Sequence, residues 1–275
     1  MTTPTIAIIG AGNMGLSLIG GLIKDQHPPS HIIAADPSVE KLTQLEQRFS
    51  IKTTSDNKAA VIAADVVIFA VKPQYFANVA KELAPIMQDH HPLVISIAAG
   101  IRISHIQHWL GDHIAIVRSM PNTPALIGCG ATALYANDYV SAEQRNLAES
   151  MLRAVGITIW LEKEALMDTV TALSGSGPAY FFLMMESLQA AAEEMGLPTE
   201  TARLLTLQTA LGAARIAMES NSDLTELRQH VTSPGGTTEK AISVLEENNI
   251  RELFKKTLAA AKSRSEELAE ILGEK

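Results

Sequence analysis

About the first 160 residues alternate between short apolar runs and longer amphipathic segments. The runs are rich in β-branched residues, which is the pattern of strands buried on both faces of a parallel sheet. The stretches between them have mostly helical periodicity. Five such runs occupy residues 5–9, 31–35, 64–71, 93–97 and 114–117, and two further strands are predicted at 131–135 and 157–161, around a helix over 141–155.

The strand signal stops after residue 162, and helical patterns follow to the end of the chain. Alternating strands and helices, followed by helices alone, predict an α/β domain and a separate helical domain. We place the α/β domain at residues 1–162 and the helical domain at residues 163–275. The predicted helices cover residues 163–173, 177–195, 198–219, 223–230, 235–246 and 250–272.

The helix predicted over residues 177–195 is apolar on nearly every side, most clearly at residues 179–185. Such a helix has to be covered all round. A helical domain of about 110 residues is too small to cover it alone. We therefore predict a homo-oligomer that uses these helices as its interface.

Charge and composition narrow the classes of function. The chain has 275 residues, a formal net charge of −8 at pH 7 and a single cysteine, Cys129. The negative charge argues against a nucleic-acid partner, and one cysteine cannot form an intrachain disulfide or a multi-cysteine metal site, so no metal is predicted. The longest apolar run is too short to span a bilayer, and residues 1–5 lack the basic region of a signal peptide. We expect a cytoplasmic protein without a membrane partner.

A glycine motif joins the first predicted strand to the helix that follows. The stretch Gly10-Ala11-Gly12-Asn13-Met14-Gly15 has the spacing GxGxxG, and its place between a strand and a helix is typical of dinucleotide binding. Gly10 permits the tight turn, Gly12 admits a pyrophosphate close to the backbone, and Gly15 allows the helix to pack closely on the strand. A purely structural glycine turn is the alternative.

Asp36 ends the second strand, 21 residues beyond Gly15. A carboxylate at this place accepts a hydrogen bond from the adenine-ribose 2′-OH and repels a 2′-phosphate, which favours NADH over NADPH. Lys41 is close enough in sequence to offset part of this charge. The competing interpretation makes Asp36 the N-cap of a helix over residues 38–49.

Polar or small residues end two further strands. The stretch Ala70-Val71-Lys72-Pro73 places Lys72 at the carboxyl edge of the sheet, where ligands bind, and Pro73 at a helix start. A solvated lysine is the equal alternative. The stretch Ala98-Ala99-Gly100 follows the next strand, and its small side chains leave room for a flat nicotinamide ring.

A second glycine turn precedes a helix in the C-terminal half. Residues 233–238 read Ser-Pro-Gly-Gly-Thr-Thr and lead into an apolar helical pattern. Backbone N–H groups at a helix start, beside the positive end of its dipole, suit an anion such as a carboxylate. The two hydroxyl groups can donate to a polar atom of the same small ligand. An ordinary capped helix after a tight turn is the alternative interpretation.

Together these segments resemble the pyrroline-5-carboxylate reductase family. The segments that carry the resemblance are 10–15, 70–73, 96–100, 120–125, 173–180 and 233–238, in the family's order and spacing across nearly all of the chain. The resemblance implies reduction of the ring C=N of 1-pyrroline-5-carboxylate to L-proline, the last step of proline biosynthesis, with NADPH or NADH as cofactor. It also implies an N-terminal Rossmann domain and a C-terminal helical domain that interleaves with its twin in a homodimer. Bacterial members of the family often form decamers built from such dimers.

The resemblance also assigns residues to roles. The cofactor positions are Gly10, Ala11, Gly12, Asn13, Met14, Gly15, Asp36, Asn57, Ala70, Val71, Lys72, Pro73, Ala98, Ala99 and Gly100. The substrate positions are Ser233, Gly235, Gly236, Thr237 and Thr238. Many members have Ser, Asn or Arg near Asp36-Pro37, which leaves the choice between NADH and NADPH open. Asn221 stands where members often carry His-Pro and a glutamate.

The expected chemistry needs no strong acid, because the imine can enter already protonated. A hydroxyl group then suffices to hold the ring nitrogen, and we assign this catalytic role to Thr238. Ser233 and the N–H groups of Gly235, Gly236 and Thr237 would hold the carboxylate. The competing hypotheses are a β-hydroxyacid dehydrogenase, another imine reductase and a dinucleotide-sensing protein without catalysis. The first of these requires a lysine on the helix after the domain junction, and residues 174–195 contain none.

Overall fold

The computed structural model describes residues 3–274. Its eight strands are β1 (Ile6–Ile9), β2 (Ile32–Ala35), β3 (Lys52–Thr54), β4 (Val66–Phe69), β5 (Leu93–Ser96), β6 (Ile116–Met120), β7 (Gly130–Ala136) and β8 (Gly156–Trp160). They form one sheet in the order β3-β2-β1-β4-β5-β6-β7-β8. All neighbouring strands are parallel except β6 and β7.

Helices connect the strands and make up most of the C-terminal part. They are α1 (Asn13–Lys24), α2 (Val39–Phe49), α3 (Asn57–Ile62), α4 (Pro73–His90), α5 (Ile103–Leu110), α6 (Ala142–Arg153), α7 (Leu166–Val170), α8 (Gly177–Glu194), α9 (Thr199–Glu219), α10 (Leu224–His230), α11 (Thr237–Glu247) and α12 (Ile250–Gly273). Short 3₁₀ segments occur at Pro29–His31 and Thr123–Ile127, and one π-helical turn at Thr171–Gly175.

The chain divides into two compact units. The first contains the residues up to Ser176 together with those from Ala261 onward, and the second is Gly177–Ala260. The end of α12 therefore belongs with the sheet. A functional boundary between residues 162 and 163 stays a prediction.

The sheet of the first unit is buried on both faces. Every residue of β1, β2, β4 and β5 is buried, as the apolar runs predict. One face packs on Phe76 of α4 and Trp109 of α5, and the Phe76 ring stacks on Phe69 with centroids 4.7 Å apart. Leu18 and Ile19 of α1 cover the other face. A sheet covered by helices on both sides is the arrangement expected of a doubly wound fold.

Three elements escaped the sequence prediction. Strand β3 is short, polar and at the sheet edge, so it lacks an apolar run. Helices α3 and α5 have only six and eight residues, too few for a clear helical period. The prediction of one continuous α-helix over residues 163–173 was wrong. The structure has the short helix α7 followed by the π-helical turn.

Helices α8 and α9 pack against each other in the second unit, yet α8 leaves large apolar side chains uncovered. Phe181, Phe182 and Leu183 are each more than 60% exposed (62%, 63% and 63%). These residues belong to the segment that the sequence predicts to be covered on every side. Within residues 3–274, none of the helices has the length and apolar character needed to cross a membrane.

Candidate functional site

A cleft of about 570 Å³ opens in the first unit at the carboxyl ends of β1, β2 and β4. This edge of a parallel sheet is where open α/β folds bind their ligands. Its lining combines backbone of the glycine turn with side chains from three further segments. The lining residues are Ile9, Gly10, Gly12, Ala35, Asp36, Pro37, Lys41, Ser55, Asn57, Ala70, Val71, Lys72, Tyr75, Asn78 and Val79.

The glycines of the first turn are required by close packing. Gly10 has φ +109°, and a side chain there would place Cβ 2.7 Å from the carbonyl oxygen of Ala70. A Cβ on Gly15 would overlap the carbonyl oxygen of Gly10. By contrast, no atom of the described residues lies within 4 Å of the position that a Cβ of Gly12 would take. The turn is therefore tight at both ends and open in the middle.

This opening fits a pyrophosphate. Gly12 is the N-cap of α1, and within residues 3–274 no side chain caps this helix end. The first N–H groups of a helix have no partner inside the helix and lie at the positive end of its dipole. The site thus offers backbone donors and open space to an anion.

The Asp36 carboxylate accepts hydrogen bonds from the backbone around it. Its Oδ2 accepts the Ala11 N–H at 2.8 Å, and its Oδ1 accepts the Ser38 N–H at 2.9 Å. The Lys41 ammonium lies 3.6 Å from Oδ2. The alternative that Asp36 caps the following helix is wrong, because Ser38 is the N-cap of α2 and its Oγ accepts the Lys41 N–H. Asp36 fixes the glycine turn, one residue beyond β2.

Some of the predicted cofactor positions line the cleft, together with residues that were not predicted. Ser55, Tyr75, Asn78 and Val79 line it without having been singled out in the sequence. Tyr75, Asn78 and Val79 follow Pro73 at helical spacing, so a helix starting there would have placed them on one face. The cofactor positions in the lining are Gly10, Gly12, Asp36, Asn57, Ala70, Val71 and Lys72, whereas Ala11, Asn13, Met14, Gly15, Pro73, Ala98, Ala99 and Gly100 lie outside it.

The stretch Ala98–Gly100 follows β5, and the end of α12 packs on it. Leu272 Cδ1 is 3.3 Å from the place of a Cβ on Gly100, whose φ is +73°. The Arg102 guanidinium binds the Glu270 carboxylate at 2.7 Å. Burial, and then the positive charge of Arg102, lower the pKa of His105. These contacts hold the last turns of α12 against the loop after β5.

The second glycine turn lies in the other unit, directly ahead of α11. The Gly236 N–H donates to the Ser233 carbonyl oxygen at 3.0 Å, and Gly235 adopts φ +71°. The Gly235 N–H donates to Glu239 Oε2 at 2.7 Å. Gly236 is the N-cap of α11, and within the described residues no side chain caps this helix end.

The substrate positions therefore differ in what they can offer. The N–H groups of Gly235 and Gly236 are engaged inside the turn, while Thr237 and Thr238 are the first two residues of α11. The N–H groups of a first helical turn lack intrahelical partners. Asn221 is exposed in the turn ahead of α10. Across residues 3–274, no group of three or more His, Cys, Asp or Glu side chains is placed to hold a metal ion.

Two family models match the chain. The model described as pyrroline-5-carboxylate reductase dimerisation matches residues 164–268, and the model described as NADP oxidoreductase, coenzyme F420-dependent, matches residues 5–100. The pyrroline-5-carboxylate reductase of Pseudomonas aeruginosa is 51% identical to this chain over 274 residues, which cover 100% of both proteins. The chain belongs to the pyrroline-5-carboxylate reductase family.

Solved structures agree with this membership. The pyrroline-5-carboxylate reductase of Coxiella burnetii has a TM-score of 0.94 and 50% identity, covering 98% of this chain and 99% of that one. The pyrroline carboxylate reductase of Plasmodium falciparum, solved with NADP bound, has a TM-score of 0.87 and 28% identity, covering 98% and 99%. The predicted fold, a Rossmann domain followed by a helical dimerisation domain, is confirmed.

Membership also decides among the hypotheses that the sequence left open. The pyrroline-5-carboxylate reductases are oxidoreductases that reduce 1-pyrroline-5-carboxylate to proline, and the predicted activity is confirmed at this level. A β-hydroxyacid dehydrogenase and a non-catalytic sensor are no longer needed to explain the glycine turns. The roles of individual residues stay predictions.

Proposed function

We propose that this chain reduces the ring C=N of 1-pyrroline-5-carboxylate to L-proline with NADPH or NADH, and that the Ser233–Thr238 turn holds the substrate. One observation carries this assignment: the turn ends in a glycine N-cap, Gly236, ahead of α11, with no capping side chain among the described residues. Such a helix end presents N–H donors to a small anion. The substrate has one carboxylate to place there.

The carboxylate binds at the Ser233 hydroxyl and the N–H groups of the first helical turn, beginning with Thr237. The Gly235 and Gly236 N–H groups join them by exchanging their internal acceptors, the Glu239 carboxylate and the Ser233 carbonyl. Of these two exchanges, the one at Gly235 is the easier, because Glu239 is an exposed side chain. Fixing the carboxylate fixes the ring that carries the imine.

Thr238 holds the ring nitrogen. It is the second residue of α11, one residue beyond Thr237, and it is partly exposed. The cofactor supplies the hydride when it is bound. A hydroxyl that accepts the N–H of the protonated ring imine orients the imine carbon and keeps the proton on nitrogen as the bond is reduced.

The cofactor binds at the 570 Å³ cleft, with its pyrophosphate at Gly12 and the start of α1. In the stretch Ala98–Gly100, Ala99 is exposed and its small side chain leaves room for the nicotinamide, whereas Gly100 packs against the end of α12. The Plasmodium falciparum relative with NADP bound supports this use of the fold. Asp36, Asn57 and Lys72 line this cleft.

We further propose a homodimer through the C-terminal helices, with a decamer built from five such dimers as the larger assembly. The dimerisation model over residues 164–268 supports oligomerisation. Phe181, Phe182 and Leu183 of α8 supply exposed apolar surface for this interface. We place the working boundary between the cofactor and substrate parts at residues 162 and 163. The reaction belongs in the cytoplasm, as the single cysteine suggests.

The test is oxidation of NADPH and NADH, followed by absorbance, with 1-pyrroline-5-carboxylate supplied. We expect oxidation that depends on the imine. Thr238→Ala should lower kcat about tenfold or more with little change in the Kd of NADPH, because it removes one hydrogen-bond partner of the reacting ring. Thr238→Ser, which keeps a hydroxyl, should restore much of the rate.

Thr232→Ala, directly before this turn, is the matched control. The Thr232 hydroxyl is already used, since it donates to the Arg228 carbonyl oxygen at 2.6 Å. A loss of NADPH affinity in Thr238→Ala equal to its loss of turnover would contradict the assignment. A folded oligomer that oxidises neither cofactor would overturn the proposed reaction and direct attention to Asn221.

A further inference from the structure

Two oppositely charged side chains, Asp36 and Lys41, line the cofactor cleft, and they differ in how firmly their contacts hold them. The Asp36 side chain is 8% exposed, and both its oxygens accept backbone N–H groups. The Lys41 side chain is 51% exposed, and its ammonium lies 3.6 Å from Asp36 Oδ2. The carboxylate is therefore fixed by the backbone, whereas the one partner of the ammonium among residues 3–274 is this partly exposed ion pair.

Helix stability does not explain the place of Lys41. It is the third residue of α2, where a cation opposes the positive end of the helix dipole. A solvent-exposed ion pair contributes little to stability. What the position does provide is a half-exposed positive charge in the lining of the cleft, next to the carboxylate that follows β2.

We propose that Lys41 determines coenzyme choice by binding the 2′-phosphate of NADPH. The inference rests on the proposed use of NADPH or NADH in this cleft. With NADPH, the ammonium leaves Asp36 for the phosphate, which carries more negative charge and has oxygens free to accept. Asp36 tolerates this exchange because the Ala11 and Ser38 N–H groups still hold its oxygens. With NADH, Lys41 stays on Asp36.

The other charges around the cleft are few. Among the described residues, the lining contains one carboxylate, Asp36, and two cations, Lys41 and Lys72. Lys72 lies after β4, on the far side of β1 from β2, and is the N-cap of α4. Lys41 follows β2, where Rossmann folds bind the adenine ribose. This placement selects Lys41 over Lys72 as the group that meets the 2′-phosphate.

The test is direct binding without any imine substrate. Kd values for NADPH and NADH are measured by nicotinamide fluorescence, and 2′,5′-ADP and 5′-AMP compete as probes with and without the 2′-phosphate. In Lys41→Gln we expect the ratio of the NADH Kd to the NADPH Kd to fall about tenfold, since one charge-assisted contact is lost. Lys41→Arg should restore the ratio. The wild-type preference for 2′,5′-ADP over 5′-AMP should weaken with salt, as an exposed charge contact does.

Lys58→Gln is the matched control. Lys58 has the same 51% side-chain exposure and also pairs with a carboxylate, Glu82, but it lies outside the cleft lining. Equal changes in NADPH and NADH affinity in Lys41→Gln would overturn the proposal. So would a ratio of the NADH Kd to the NADPH Kd that changes in Lys72→Gln but not in Lys41→Gln. Failure to reduce 1-pyrroline-5-carboxylate would reject the proposed function but would leave these binding ratios interpretable.

Discussion

The two glycine turns of this chain both precede a helix, yet they are held in different ways. Each N-cap is a glycine, Gly12 or Gly236, and in each turn a carboxylate accepts a backbone N–H. In the first turn the carboxylate is Asp36, which is buried and comes from the end of another strand. In the second it is Glu239, which is exposed and belongs to the helix that follows.

The glycines of the two turns also differ in the atoms that an added side chain would meet. A side chain on Gly10 would collide with the backbone of Ala70, and one on Gly15 with the Gly10 carbonyl oxygen. In the second turn, a Cβ on Gly236 would meet the Ser233 carbonyl oxygen of the same turn at 2.9 Å, and no described atom lies within 4 Å of a Cβ on Gly235. Gly235 is favoured by its φ of +71° instead. Tertiary packing therefore fixes the first turn, and local hydrogen bonds fix the second. Substitutions in the first turn should affect folding and cofactor binding together, while those in the second should affect substrate binding.

Gly15→Ala is expected to have the largest effect. Its Cβ would overlap the Gly10 carbonyl oxygen, so α1 has to move away from β1. We expect the free energy of unfolding, measured by urea denaturation, to fall by about 2–3 kcal/mol, as for an overpacked core, and cofactor binding to weaken with it.

Gly20→Ala on the same helix is the control. Among the described residues, its Cβ would meet the Phe49 ring alone, at an ordinary contact distance of 3.6 Å. It should leave stability unchanged or raise it by up to about 1 kcal/mol, because alanine favours helix over glycine. Equal losses in the two variants would show that the first turn is not fixed by close packing.

Asp36→Ala should come next in size. It removes the acceptors of the Ala11 and Ser38 N–H groups. We expect the free energy of unfolding to fall by about 1–3 kcal/mol, and the Kd values of NADPH and NADH to rise together, because the turn that receives the pyrophosphate loosens.

Asp65→Ala gives the comparison at the opposite edge of the sheet. Asp65 Oδ2 accepts the Thr5 N–H at 2.8 Å, at the amino end of β1. Asp65 is exposed and accepts this one N–H, so the variant should lose less stability than Asp36→Ala, with no change in cofactor affinity. Tighter NADPH binding in Asp36→Ala would show that the charge of this carboxylate outweighs its hydrogen bonds.

The sequence was sufficient for the features whose physical cause is local. The apolar runs identify the buried strands, and the spacing of Gly10, Gly12 and Gly15 identifies the first turn, because both depend on residues that are adjacent in the chain. The Ser233–Thr238 turn was found for the same reason. The helix bounds from α8 to α12 agree within about two residues with the predicted ranges.

The bonding within each turn could not be predicted. Asp36 reaches the Ala11 N–H because the parallel register pairs Ile9 with Ala35 and thereby brings the ends of β1 and β2 side by side. Sequence spacing alone does not contain that register. The bond between Gly235 and Glu239 depends on the φ of +71°, which glycine permits but does not require. Strand β3 was missed because it is polar.

Glu239→Gln should have the smallest effect, and it tests the second turn most directly. The amide oxygen of glutamine can still accept the Gly235 N–H, so the turn is kept while the negative charge is removed. Under the proposed function, this charge lies beside the substrate carboxylate. Two like charges about 4 Å apart in water repel by about 1 kcal/mol, so we expect KM for 1-pyrroline-5-carboxylate to fall by up to about fivefold at low salt.

Salt dependence and a matched variant complete this test. The wild-type KM should fall as ionic strength rises, because salt screens the repulsion, and the KM of Glu239→Gln should change less. Glu226→Gln is the control, since Glu226 is likewise an exposed glutamate at the third position of a helix, α10. A higher KM in Glu239→Gln, with Glu226→Gln unchanged, would mean that the charge of Glu239 strengthens the turn more than it repels the substrate. The second turn would then resemble the first in depending on its carboxylate.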